Sequence, residues 1–412
     1  MAENFKIQTA EDVAGLNLVK GFKVAGAACD IRNKGDMSRL DVALIVSDVP
    51  ATASGVFTTN DVKAAPVVLD IKKLSQSQTM RAIVANSGNA NACTGDRGMQ
   101  DAENTCKIAA DLIGAAAGEV LVCSTGRIGE FMPMQKLKNG ISEAASKLSD
   151  SEQSAKDAAR AIMTSDTRPK TVLSTVEVGG KKISVAGMAK GAGMIEPNMA
   201  TMLAFIVSDA KISQPLLKKC LKAAADKTFN RITVDGDMST NDTVLCLCNG
   251  MGQVEVSESD KDALEAFQAA ITAVSRALAR KIVGDGEKIT KVVEVKVEGA
   301  RDEAQAEKIC RAIGNSLLVK SSWFGCDPNW GRLTDAAGYA RTGISIDKID
   351  LWYDGVEVLK KGQPVDANKP LWKEIAAKKT FTITMNLNMG SASEAILAAD
   401  LTEEYVNFNK GE

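Results

Sequence analysis

Gly187-Met-Ala-Lys-Gly-Ala-Gly-Met-Ile-Glu-Pro-Asn-Met-Ala-Thr-Met-Leu-Ala-Phe-Ile-Val-Ser-Asp209 carries a glycine-rich loop, then Pro197 and polar Asn198, then Ala200-Thr201 leading into an apolar strand. Just upstream, residues 172–178 and 182–186 have strand character, and Gly179-Gly180 between them predicts an antiparallel hairpin. Further strands are predicted at 41–46, 81–84, 120–123, 202–207, 231–234, 244–247, 292–297 and 380–387. Helical periodicity marks 101–116, 134–148, 154–163, 214–227, 260–282 and 302–313. The alternation, with hairpins in it, predicts an α/β fold rich in mixed or antiparallel sheet, and not a doubly wound dinucleotide-binding sheet. Gly191-Ala-Gly193 lacks the third glycine of a dinucleotide fingerprint, and no glycine loop closes with Gly-Lys-Ser/Thr.

The same loop is also the best place to look for chemistry, because of a residue type the chain lacks. Among its 412 residues there is no histidine. That removes Ser-His-Asp and Cys-His catalysis, histidine-ligated zinc and every histidine base. A hydroxyl can still be activated if its base sits on the same residue. An N-terminal threonine does this, since a free α-amine titrates near 7.7–8.0 and lies within reach of its own Oγ. Exposing that amine on Thr201 requires breaking the bond after Ala200, which a strained loop promotes by driving the Thr201 hydroxyl onto the Ala200 carbonyl in an N→O acyl shift that water resolves. On the residues alone, a β-branched Thr201 that simply opens a strand is the commoner arrangement.

Bulk composition excludes other classes. The length predicts two domains or one large two-part fold. Hydrophobic residues make up 45% and charged residues 25%, as in a soluble globular protein, and a formal charge of −2 gives no reason to expect nucleic acid or an anionic membrane as partner. No apolar run approaches the roughly 18 residues of a membrane span, and residues 1–12 lack the basic and apolar regions of a targeting segment, so a cytoplasmic protein is expected. Nine irregularly spaced cysteines read as reduced, buried small residues; Cys246 and Cys248 share a strand face, but no further ligands complete a metal site, and no metal is expected.

Glu196-Pro-Asn-Met-Ala-Thr-Met-Leu203 resembles the self-cleavage segment of the ornithine acetyltransferase family of arginine biosynthesis. The resemblance runs almost the full chain: Gly21-Phe-Lys-Val-Ala-Gly26, Ala53-Ser-Gly-Val-Phe-Thr-Thr-Asn60, Asn86-Ser-Gly-Asn-Ala-Asn-Ala-Cys-Thr-Gly95, Phe229-Asn-Arg-Ile-Thr-Val-Asp-Gly-Asp-Met-Ser-Thr-Asn-Asp-Thr243 and Gly325-Cys-Asp-Pro-Asn-Trp-Gly-Arg332 follow the family's order. It implies two packed mixed or antiparallel sheets flanked by helices, and cleavage between Ala200 and Thr201 into an α chain, 1–200, and a β chain, 201–412, assembled as an α2β2 heterotetramer. Thr201 is then the nucleophile that takes acetyl from N2-acetylornithine and passes it to glutamate, with Thr125 and Gly126 as oxyanion hole and Thr164, Lys190, Thr201, Glu287 and Asn409 as substrate contacts. Lys190 suits a carboxylate and Glu287 an ammonium.

No cofactor is implied, and acetyl-CoA is a candidate second donor for which the chain carries no nucleotide motif. The chain departs from the family at Lys288-Ile-Thr-Lys291, where Gly-Ala-Thr-Lys is usual, and at Asn409-Lys-Gly-Glu412, which lacks the terminal tyrosine and hydroxyl residue. Two alternatives stay open: an N-terminal-nucleophile amidohydrolase or aminopeptidase with water as acceptor, and an uncut, non-catalytic homologue.

Overall fold

The structure, a computed structural model, describes residues 5–196 and 202–410. They form two compact units. The first takes the described parts of Met1–Gly191, Pro197–Asn230 and Met238–Ile282; the second takes Ala192–Glu196, Arg231–Asp237 and the described part of Val283–Glu412. The α/β fold with mixed sheets flanked by helices, expected from the sequence, is what the chain adopts, and each unit holds one of the two larger sheets.

In the first unit the strand order is Ile7–Glu11, Lys170–Val178, Lys181–Lys190, Leu203–Ser208, Thr243–Cys248, Val42–Phe57, Thr79–Asn89, Val120–Arg127, with Phe22–Ala27 also paired to Val42–Phe57. The predicted hairpin is present: Val178 faces Lys181 across Gly179 and Gly180, both with positive φ, the geometry of a two-residue turn whose twist matches the sheet. Lys190 then pairs with Leu203 antiparallel, and Leu203 pairs with Thr243 parallel. Both faces of this sheet are buried. Along Val42–Phe57, Val42, Leu44 and Val46 join one apolar cluster and Ala43 and Ile45 the other, the period of two expected of a strand covered on both sides.

Small residues let the helices close on that sheet. The helix Glu152–Ala161 starts at Ser151, whose side chain accepts the Ser154 amide, and buries Ala155, Ala158, Ala159 and Ala161. It lies so near Phe22–Ala27 that a Cβ on Gly26 would come within 2.4 Å of the Asp157 backbone. Gly187 makes the corresponding room for Val274 and Leu278 of the helix Lys261–Val283.

The second unit has a seven-stranded sheet in the order Ile232–Thr233, Ala392–Ala399, Val292–Ala300, Thr380–Asn386, Asp350–Tyr353, Val356–Lys360, Gln363–Pro364. Val293, Val295, Val297, Ile383, Met385 and Ile396 from its strands pack with Ile309 and Ile313 of the helix Glu303–Asn315 and with Trp323 and Trp372. Glu294, Lys296 and Glu298 alternate with the buried valines, so the strand is amphipathic where the first unit's central strands are not.

The sequence reading placed most of these elements and missed some. Residues 231–234, expected as a strand, form a 3-10 turn, Phe229–Arg231, followed by only two strand residues, because the polar Asp235-Gly236-Asp237 run ends the pairing. Strands at Ile7–Glu11, Phe22–Ala27 and Ala392–Ala399 and the helix Ala65–Gln76 were not anticipated. Of the cysteines, Cys93 and Cys326 are exposed, contrary to expectation; both take positive φ in loops at the surface. Among the described residues no helix is long and apolar enough to cross a membrane.

Gly26→Ala is expected to force the helix Glu152–Ala161 off the sheet and lower stability by about 2 kcal/mol, the scale of overpacking a tight core. The urea unfolding midpoint measures it. A midpoint equal to that of the unaltered protein would show that this contact relaxes freely.

Candidate active site

Thr125 and Gly126 lie near the end of the strand Val120–Arg127, beside Ser87 and Gly88 of Thr79–Asn89. Gly126 has φ +135°, and a Cβ there would meet the Gly88 carbonyl carbon at 2.3 Å, so only glycine allows the two backbones to approach. A buried polar network fixes the surrounding loop. Ser124 Oγ donates to Asn86 Oδ1 at 2.7 Å, and Asn86 Nδ2 donates to the Asn89 carbonyl at 2.9 Å. Asn241 Nδ2 donates to the carbonyls of Ala90 and Ser124 at 2.6 and 2.8 Å. The Thr125–Gly126 backbone is therefore held in place before any ligand arrives.

Lys190, 3% exposed at the end of its strand, donates from Nζ to Thr125 Oγ1 at 3.2 Å. Its charge is balanced by Asp166. That carboxylate accepts from Lys170 Nζ at 2.7 Å, from the Gly191 amide at 2.7 Å and from the Thr164 amide at 3.0 Å. Burial alone would push Asp166 up, but Lys190, Lys170 and the Gly191 amide together hold it down at about 2. One anion thus organises two of the residues expected to contact substrate: it binds the Thr164 backbone and compensates the Lys190 ammonium. Arg39 adds a clamp by donating to the carbonyls of Met163 and Thr164.

Asp242 lies next to Asn241. It is fully buried, and Oδ1 accepts the Met202 amide at 2.7 Å. Burial pushes its carboxyl well above the usual carboxylate range, an effect only partly offset by the Met202 amide, Lys190 and the Ser239 amide.

In the second unit, Glu287 and Asn409 are in contact, with Asn409 Nδ2 donating to Glu287 Oε2 at 3.2 Å. A Cβ on Gly193 would come within about 2.4 Å of the Glu287 carboxylate and displace it, and the Glu287 amide donates to the Ala192 carbonyl. Asp235 clamps the same segment: its two oxygens accept the Met194 and Ile195 amides at 2.6 and 2.7 Å, and Tyr405 Oη contacts it at 3.2 Å. Met194 takes φ +59° there, an unfavourable conformation for a residue with a Cβ. Burial raises the Asp235 carboxyl, and these donors offset part of the rise. Buried Lys320 caps the carbonyls of Val234 and Ala399 and is pushed down to about 8 by burial.

The structure brings Thr125 into contact with Lys190 and ties Thr164 to both through Asp166; it also brings Glu287 to Asn409. Ala200 and Thr201 lie outside the described residues. Sequence reasoning passed over Asp166, Asp235 and Asp242, although the last two stand inside a motif quoted above. An acidic residue in an otherwise Gly/Ser/Thr/Asn-rich stretch was the available signal. Among the described residues no group of histidine, cysteine, aspartate or glutamate side chains has the arrangement of a metal site.

The sequence profile of the ArgJ family matches residues 23–411. A Geobacter sulfurreducens protein named arginine biosynthesis bifunctional protein ArgJ is 46% identical over 393 residues, covering 95% of this chain and 98% of that protein. A protein of the same name from Thermotoga neapolitana is 44% identical over 398 residues, covering 95% and 98%. Among solved structures, ornithine acetyltransferase complexed with ornithine from Mycobacterium tuberculosis is 39% identical, with a TM-score of 0.43, covering 47% of this chain and all of that one.

Asp166 yields a pH prediction. A carboxyl depressed in the folded state stabilises the fold above its unfolded value, about 3.9, and loses that contribution as pH falls toward about 2. Asp166→Asn should flatten the fall of stability in this window, read by urea unfolding at several pH values. An unchanged slope would mean that other carboxyls dominate there.

Proposed function

Since the chain belongs to the ArgJ family, we propose that it transfers acetyl from N2-acetylornithine to glutamate in arginine biosynthesis, in the cytoplasm, through an ester on Thr201 made available by self-cleavage after Ala200. The observation that carries this reading is the contact of Lys190 with Thr125 beside the fixed Gly126 backbone, in a histidine-free chain matched by the family along nearly its whole length.

In maturation, Thr201 Oγ attacks the Ala200 carbonyl carbon; the C–O bond forms, the C–N bond breaks, and the Oγ proton ends on the Thr201 nitrogen. Water then hydrolyses the ester, leaving the Ala200 carboxylate and a free Thr201 hydroxyl and amine. In the first half-reaction the amine takes the Oγ proton as Oγ attacks the acetyl carbon, and that proton passes to the leaving ornithine amine. In the second, the glutamate amine attacks the acetyl-Thr201 ester and restores Oγ–H. Each tetrahedral intermediate places negative charge on the acetyl oxygen, which we assign to donors at Thr125 and Gly126. Lys190 and Thr164 suit a substrate carboxylate, and Glu287 with Asn409 an amine.

Fragments 1–200 and 201–412 are proposed to stay together. Residues 185–190 from the first pair with Leu203–Ser208 from the second, and residues 52–57 likewise with Thr243–Cys248. Two such pairs form the α2β2 heterotetramer that the family resemblance implies. No resident cofactor is required. The relatives' names call them bifunctional, which supports acetyl-CoA as a second donor; thiol release in the presence of glutamate tests it.

Wild-type protein should run as two fragments on a denaturing gel, with Thr201→Ala intact and inactive. Gly126→Ala should cut turnover by about 10²–10³. Ornithine release from acetylornithine should depend on glutamate; release at the same rate without it would replace the transferase with a hydrolase. An uncut chain with full activity would sink the nucleophile.

A further inference from the structure

N2-acetylornithine carries a single free amine, that of its side chain, because its α-nitrogen is already acylated. On the reading proposed here, this is the amine that Glu287 and Asn409 receive from the donor. Glutamate follows in the second half-reaction. With its α-carboxylate and α-amine in the donor's place, it brings a side-chain carboxylate to the spot the ammonium has left. A carboxylate such as Glu287 repels that group. A subsite used in turn by both substrates therefore needs a cation beside its anion.

The next residue in the chain supplies one. Lys288 is exposed and takes φ +55°, a backbone conformation easy for glycine and unfavourable for a residue with a Cβ. The family resemblance puts glycine at this position, so the lysine is this chain's own. One helix, Glu403–Phe408, holds both its backbone and its head group. Thr402, whose hydroxyl caps that helix by accepting the Tyr405 amide at 3.0 Å, donates from Oγ1 to the Lys288 carbonyl at 2.8 Å. At the other end of the helix the Phe408 ring lies under the ammonium, with Nζ 5.1 Å from its centroid. Asn409, the following residue, is the one that donates to Glu287 Oε2 at 3.2 Å. Consecutive residues of one turn thus meet consecutive residues at one helix end, Glu287 with Asn409 and Lys288 with Phe408. They bring a carboxylate and an ammonium to the same place.

A ring face attracts the ammonium without neutralising it, and leaves its N–H groups able to donate to an oxygen acceptor. Among the described residues no carboxylate forms an ion pair with Lys288. Lys410, the other lysine at this helix end, donates to Asn407.

We propose that Lys288 is a specificity-determining residue for the acceptor: it receives the side-chain carboxylate of glutamate, as Glu287 receives the side-chain ammonium of acetylornithine. This rests on the reading of the chain as an acetyltransferase between those two substrates, with Glu287 at the amine. The pair lets one subsite serve two molecules whose side chains end in opposite charges.

In a two-step transfer through an acetyl-enzyme, each substrate has its own kcat/KM, so the half-reactions are read separately. Lys288→Met keeps the stem and removes the charge. Lys288→Gly also relieves the backbone and is expected to fold at least as well as wild type. In both, kcat/KM for glutamate should fall about fivefold, the upper range for an exposed ion pair, with the loss in KM. That for acetylornithine should rise, because the cation beside Glu287 is gone. Glutamine has glutamate's shape without the charge. The preference for glutamate over glutamine should shrink about fivefold in both variants, persist in Lys288→Arg, and weaken in wild type with added salt. A lysine that merely pinned the helix would lower both substrates together and leave the preference alone; that result overturns the proposal, as does an unchanged preference in Lys288→Met or Lys288→Gly. Wild type that forms no acetylglutamate defeats the transferase reading itself, and the proposal with it, before any variant is made.

Discussion

The register of three adjacent strand ends sets where the first unit's candidate site residues lie. Lys190 pairs with Leu203, and Leu203 with Thr243, so residues far apart in sequence begin or end their strands on one line. Lys190, Met202 and Asp242 inherit their positions from that line. A slip of one residue in the Leu203–Ser208 strand would turn every side chain to the opposite face and separate Met202 from Asp242. Such a slip is resisted because both faces of the sheet are packed: Leu203, Phe205 and Val207 already fill one apolar cluster, and Ala204 and Ile206 are buried as well.

On that frame sits an arrangement of buried charge. Lys190 and Lys170 share Asp166, and both Lys170 and Asp166 are almost wholly inaccessible to solvent. Buried ions of this kind add little net stability compared with apolar residues of the same shape, yet removing one partner leaves the other stranded in a poor dielectric. Their value lies in orientation. Asp166 also takes the amides of Thr164 and Gly191, so a single carboxylate fixes the lysine's charge and two stretches of main chain. The second unit repeats the device with Asp235, which takes the Met194 and Ile195 amides and keeps Met194 in a conformation the residue would otherwise avoid. In both places an acidic side chain substitutes for secondary structure where the chain has to stop being regular.

This explains which parts were legible in the sequence. The hairpin at Gly179-Gly180, the alternating 292–297 strand and the long helix ending near Val283 follow from local periodicity and turn chemistry, and they fold as read. Ile7–Glu11 and Ala392–Ala399 were missed because their own pattern is weak; they are strands because Lys170–Val178 and Val292–Ala300 offer them ladders. Among site residues, Thr125, Gly126, Lys190 and Glu287 came from a motif resemblance. The structure adds a physical reason for Gly126, the 2.3 Å approach to Gly88 that local sequence could not reveal. Asp235 and Asp242 were written inside a quoted motif and, like Asp166, still passed unread. A carboxylate's role as an amide acceptor depends on which backbone the fold brings to it, and nothing in its neighbours announces that.

The same reasoning separates the two kinds of glycine in this chain. Gly26 and Gly187 serve packing: a side chain there would meet a helix, and the penalty would appear in stability. Gly126 and Gly193 lie among the candidate site residues. At Gly126 the obstacle is the backbone of Gly88, and at Gly193 it is the carboxylate of Glu287, a group that must keep its place to be useful. A side chain at Gly126 meets backbone, as one at Gly26 does, and so costs stability as well, whereas one at Gly193 meets the movable end of a side chain. The first pair lets helices close on the sheet, while Gly126 admits the approach of a second backbone and Gly193 leaves room for the Glu287 carboxylate.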